Sequence, residues 1–162
     1  VIMGGSKGDD INLYNQIQDK VGGDIEYLIS DSTGDALTQI LGDDIEVVIA
    51  KPAASFELVS AGELRPLVAA TRDGFGEPFE APTFTELGYD ISLTVYRGIV
   101  GPKEMPEEAV QFWTDVFSQV VETEKWQEGY LGRFLLTDNF LPHTEAVTYM
   151  QEFEDIYTGG AN

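Results

Sequence analysis

Two short stretches concentrate the residue types that could hold a small anion: Gly5, Ser6, Lys7 and Gly8 near the start of the chain, and Ser32, Thr33 and Gly34 further on. Glycine lets a backbone come close to a bound group, and hydroxyls and main-chain N–H groups are neutral donors. Lys7 is the one cation inside either stretch. Such a set suits reversible capture of a carboxylate and provides no nucleophile. A helix beginning directly behind each stretch would add unpaired first-turn N–H groups and the positive end of its dipole. An ordinary strand-to-helix turn uses the same residues, so both readings stand at this point. Neither G-x-x-x-x-G-K-[ST] nor a full G-x-G-x-x-G occurs. His143, the single histidine, lies between Pro142 and Thr144 without the serine, aspartate or cysteine context of a catalytic base. There is no cysteine and no D-x-[DN]-x-[DN]-G loop, so neither a catalytic residue, a metal nor a cofactor is expected. Arg97 could pair with a ligand carboxylate or a structural one.

The elements around these stretches follow from periodicity and punctuation. Val1-Ile2-Met3 reads as a strand, and Ile11, Tyr14, Ile17 and Val21 recur at helical spacing until Gly22-Gly23, with Asp9 or Asp10 as the cap. Ile25 to Ile29 reads as a second strand, and Ala36, Leu37, Ile40 and Leu41 as a second helix ending at Gly42. Ile45 to Ala50 has the mostly apolar character of a parallel strand covered on both faces. A helix over residues 55–61 would turn Phe56 and Val59 inward. Residues 64–71 predict a fourth strand, 84–88 one helical turn, and the period-two run 91–96 a further strand. From Pro106 the pattern becomes helical: a long helix burying Val110, Trp113, Phe117, Val120 and Val121, and a shorter one around residues 126–130. A last helix, capped by Thr144, would have Val147, Met150, Phe153 and Tyr157 inward. Alternating strands and helices predict an open α/β sheet, whose ligands sit at the carboxyl ends of its strands. Both small-residue stretches fall on that edge.

Composition bounds the partners. The 162 residues are 43% apolar and 11% aromatic, enough for a buried core. Against 29 acidic residues stand 9 basic ones, a formal net charge of −20 that argues against nucleic acid and anionic lipid as partners. The acids are scattered, as on the solvated surface of a protein from a salt-loving (halophilic) source. No apolar run is long enough to span a bilayer. The chain opens on Val1 inside a strand pattern with no basic leader region, as an excised or processed piece would.

Several motifs in order resemble the solute-binding proteins of tripartite tricarboxylate transporters, the Bug or TctC-like family. Gly4-Gly5-Ser6 ahead of a helix, Gly34-Asp35-Ala36-Leu37 with Leu41-Gly42, and Ile45-Glu46-Val47 are similar to the family's second lobe. Ala61-Gly62-Glu63-Leu64-Arg65-Pro66-Leu67 follows, then Ala81-Pro82-Thr83-Phe84-Thr85-Glu86-Leu87-Gly88-Tyr89, the most specific match. Tyr96-Arg97-Gly98-Ile99-Val100-Gly101-Pro102 with Met105-Pro106 completes the series. The resemblance covers nearly the whole chain. It implies an α/β, periplasmic-binding-protein-like type II clamshell, with residues 1–95 as a nearly complete second lobe and 96–162 as the C-terminal part of the first. It also implies capture of a small organic carboxylate, often a di- or tricarboxylate, by Gly5, Ser6, Lys7, Gly8, Ser32, Thr33 and Gly34, without catalysis. Delivery would be to membrane permease subunits of the transporter, from an extracytoplasmic location that is periplasmic or at the cell surface, a lipid anchor on a preceding segment being one arrangement. Two departures stand out: Ser30-Asp31-Ser32-Thr33 replaces a tyrosine and glycines, and Asp9 replaces a small residue. The N-terminal part of the first lobe has no counterpart, so a fragment is expected, with residues 96–162 short of sheet partners. The second function considered is a sensor or protein-interaction scaffold of the same fold with a relict site.

Overall fold

The computed structural model describes residues 1–158, with side chains through Glu154, so the inward placement expected of Tyr157 lies outside the described residues. The chain divides into two compact units, Val1–Arg97 and Gly98–Asn162. In the first, β1 (Ile2–Gly5), α1 (Asp9–Lys20), β2 (Glu26–Ile29), α2 (Thr33–Leu41), β3 (Val47–Val48) and α3 (Pro52–Ser60) alternate as the sequence predicts. The strands are all parallel in the order β2-β1-β3, with Gly5 opposite Ile29 and Gly4 opposite Val48. Pairing continues past the short β3, since Glu46 N–H donates to the Ile2 carbonyl and Ile49 N–H to that of Gly4.

β1 is buried from Met3 to Gly5. A Cβ on Gly4 would collide with the Ile45 side chain, and one on Gly5 would come within 2.5 Å of the Tyr27 hydroxyl. Met3, Leu13, Ile17, Phe84 and Ile91 form the core, with Tyr14, Tyr27, Val47, Val68 and Leu93 packed around it. The buried face of α1 runs through Asp10, Leu13 and Ile17, and Val21 is exposed at the helix end, where the spacing predicts it inward. In α3 the buried residue is Ser55; Phe56 is exposed, and its ring lies against that of Phe79 at 6.3 Å.

Two expected strands are not strands. Over 64–71 the chain makes an isolated parallel bridge, Ala69 with Thr83, and no ladder. Over 91–96 no strand forms, and Leu93 N–H donates to the Ala70 carbonyl at 2.8 Å. A strand needs a ladder, and Pro66 brings no donor to one, while the segment facing Ala69 turns away directly after Thr83. That turn is held by a reciprocal cap: Thr83 N–H donates to Glu86 Oε2 at 2.7 Å, and Glu86 N–H to Thr83 Oγ1 at 3.1 Å. Gly88, at φ 89°, ends it.

The second unit contains α4 (Glu107–Val121), α5 (Glu124–Trp126), a π-helical segment (Gln127–Gly132) and α6 (His143–Thr158). The stripe expected to be buried on α4 is not: Trp113 is 47% exposed, Val120 is exposed, and Val110, Phe117 and Val121 are half-buried. α6 packs against α4, and among the described residues of this unit there is no sheet to cover the remaining apolar side. Trp113 instead stacks on Phe117 at 5.7 Å. α6 begins one residue before Thr144, so Thr144 is in its first turn and not its cap, and Val147 and Met150 are exposed. Leu131 is the one buried residue of this unit among those described.

Ile91 is 1% exposed in the first unit, and Ile91→Ala is expected to destabilise it by about 2–5 kcal/mol. Urea unfolding followed by far-UV circular dichroism checks this; a loss under about 1 kcal/mol would mean the site collapses around the cavity.

Candidate functional site

All three strands of the first unit run the same way, so their carboxyl ends and the N-termini of α1, α2 and α3 share one edge. The two candidate stretches leave that edge side by side, because Ser30 N–H donates to the Gly5 carbonyl at 2.9 Å as β1 and β2 end. Gly5 closes β1, Ser6 and Lys7 make the turn, and Gly8 is the N-cap of α1 at φ 81°, a backbone state that favours glycine. Ser32 is the N-cap of α2, while Thr33 and Gly34 form its first turn and are not loop residues. Lys7, Gly8, Ser32 and Gly34 are exposed, Ser6 and Thr33 half-buried, and Gly5 buried.

Asp9 and Asp10 do not cap α1, whose N-cap makes no side-chain bond. Asp10 is buried to 3% exposure and turns back on the loop. Its Oδ2 accepts from Ser6 N–H at 2.8 Å and from the Ser6 hydroxyl at 2.5 Å. The loop that reads as an anion site thus already holds a carboxylate of its own, favoured there by the positive end of the α1 dipole. Tyr27 closes the same cluster from β2, donating its hydroxyl to the Ser6 carbonyl at 2.8 Å with its ring stacked on Tyr14 at 4.7 Å. Burial, and then the negative charge of Asp10, push the Tyr27 phenol up to about 12.

The second loop repeats the arrangement. The Ser32 hydroxyl donates to Asp35 Oδ2 at 2.7 Å and, as the N-cap of α2, accepts from Asp35 N–H at 3.1 Å. Ser30 is buried and bonds Gln39 at 2.7 Å, fixing the loop to the helix. Asp31 is exposed. From the third strand the chain delivers Lys51, directly ahead of Pro52 in the first turn of α3, and its ammonium lies 3.5 Å from Asp9 Oδ2. The edge therefore carries two cations, Lys7 and Lys51, and the first turns of three helices. Of its acids, Asp9 faces Lys51, while Asp10 and Asp35 are each bonded to a serine of their own loop.

Sequence reasoning missed Lys51, Tyr27 and the role of Asp10. The available signals were a lysine directly after the third strand and a Ser-to-Asp spacing of four across a strand-to-helix turn. Arg97 is exposed at the end of the first unit, and His143 lines a groove in the second with Glu107, Val110, Gln111 and Thr114. Among the described residues no group of three or more His, Cys, Asp or Glu side chains could hold a metal ion.

No protein-family model and no curated protein matches this chain. A crystal structure of a TctC solute-binding protein from Polaromonas, without ligand, matches 98% of the chain with a TM-score of 0.77 and 21% identity. The fold is that of a TctC solute-binding protein. The α/β, periplasmic-binding-protein-like architecture implied by the motif series is thereby shown, and the chain spans 55% of the length of that TctC neighbour. The Ser6 and Ser32 loops lie at the carboxyl edge of this chain's parallel sheet, the edge where open α/β sheets receive ligands.

The Tyr27 phenol supplies a pH test. Because the folded state raises it from 10.0 to about 12, the folded chain holds a proton that the unfolded chain loses across that range. This contribution to stability is complete below pH 10 and is lost as pH rises towards 12. Urea midpoints measured between those limits should fall with pH, and Tyr27→Phe should flatten that fall; an unchanged slope would place the titration on other groups.

Proposed function

We propose that this chain is part of an extracytoplasmic solute-binding protein that captures a small organic carboxylate without catalysis. One observation carries the reading: the N-termini of α1, α2 and α3 and the cations Lys7 and Lys51 converge on one sheet edge, in a chain with the TctC fold. Main-chain N–H groups of Lys7, Gly8, Thr33 and Gly34, with Gly5, Ser6 and Ser32 shaping the two turns, form one wall of the site. Neutral donors and helix dipoles hold a carboxylate by local fields, so the strongly acidic surface does not prevent binding. The opposing wall comes from the part of the TctC fold that this chain does not span, in a segment preceding Val1. The loaded protein delivers its solute to the permease subunits of a tripartite tricarboxylate transporter. No helix among the described residues is long and apolar enough to cross a membrane.

Titrating the ¹⁵N-labelled chain with citrate, malate, succinate and benzoate tests this. The amides of Lys7, Gly8, Thr33 and Gly34 should shift together and saturably for at least one of them. Thr33→Trp, at a half-buried position in the first turn of α2, should weaken that binding by about tenfold or more while leaving the circular dichroism spectrum intact. Shifts confined to other residues, or none across the panel with a folded chain, would refute the site.

A further inference from the structure

We infer that Asp10 and Asp35 set the specificity of this site, turning its two serines from donors into acceptors, so that the solute is a hydroxy or amino carboxylic acid and not a plain carboxylate. The inference rests on the carboxylate-binding reading above. A serine hydroxyl has one proton to give and lone pairs to receive, and an ionised carboxylate only accepts. At Ser6 that proton goes to Asp10 Oδ2 at 2.5 Å, and the Ser6 N–H goes to the same oxygen. At Ser32 the proton goes to Asp35 Oδ2 at 2.7 Å. Neither serine has a proton left for a ligand carboxylate.

The consequence is a division of labour along the edge. First-turn amides and Lys7 remain for the solute's carboxylate, while Lys51 already faces Asp9 and both serine oxygens can only receive hydrogen bonds. A hydroxyl close to the solute's carboxylate brings one proton to these acceptors, and an ammonium brings up to three. A plain aliphatic carboxylate would set C–H groups against the serine oxygens and leave them without a donor. Burial makes the first switch firm: Asp10 is 3% exposed, so turning the Ser6 hydroxyl outward would leave a buried carboxylate short of one donor, and the Tyr27 hydroxyl holds the Ser6 carbonyl at 2.8 Å.

Calorimetric titration of the 162-residue chain with succinate, malate and aspartate tests this, because the three share a four-carbon dicarboxylate skeleton and differ at C2. Malate or aspartate should bind at least tenfold more tightly than succinate. In Asp10→Asn and Asp35→Ala the ratio should contract towards one; Asp35→Ala keeps the backbone N–H that bonds Ser32, and Ser6→Ala, with Asp10 untouched, should lower the ratio if Asp10→Asn does not fold. Equal or preferred binding of succinate by the unmodified chain would overturn the inference and leave the carboxylate site standing. Binding of none of the three by the folded chain would overturn both.

Discussion

Gly4 and Gly5 bring no side chains to the end of the central strand, and the packing of the first unit depends on that. The Ile45 side chain occupies the space where a Cβ on Gly4 would be, and the Tyr27 hydroxyl the space beside Gly5. Tyr27 can then reach the Ser6 carbonyl, which fixes the turn, which in turn presents Ser6 to Asp10. Steric absence at two positions is thus converted into a bonded cluster at the strand's end. The cost is conformational: two adjacent glycines lose more backbone freedom on folding than any other pair. Pairing of β1 on both sides, and the core around Met3, offset it.

The alternation of β1 to α3 was legible because each element is short, apolar where it must be, and punctuated by glycine or a capping residue. What failed was inference from periodicity alone. Residues 91–96 alternate as a strand does, yet no ladder forms there, Leu93 N–H donating to the Ala70 carbonyl; residues 64–71 make an isolated bridge at Ala69 and no strand. Period two reports which faces differ, not whether a neighbouring strand exists. The α4 stripe failed for the same reason, since amphipathic spacing says what a helix could bury and the partner decides whether it does.

At the site, the positions of both loops followed from the strand, small-residue stretch and helix order. The direction of their hydroxyls did not. A donor four residues ahead of an aspartate, as Ser6 is of Asp10, has a choice between solvent and its own helix that composition cannot settle. The resemblance shows a related division. Its most specific motif includes Pro82-Thr83-Phe84-Thr85-Glu86, and there Thr83 and Glu86 cap each other across one turn under the core residue Phe84. That motif builds the turn that seats Phe84 in the core.

The two units also differ in how they resist opening. Val1–Arg97 closes around a cluster of five buried apolar residues, whereas Gly98–Asn162 has Leu131 alone among its described side chains. Local opening free energies track buried apolar contact, so the backbone of α4 and α6 belongs to a lower rung of the unfolding ladder than β1 and α1. Amide protons would leave the helices of the second unit long before those of the sheet. A solute held at the sheet edge would therefore be gripped by the slow-exchanging half of the chain, while the fast-exchanging half stays free to remodel.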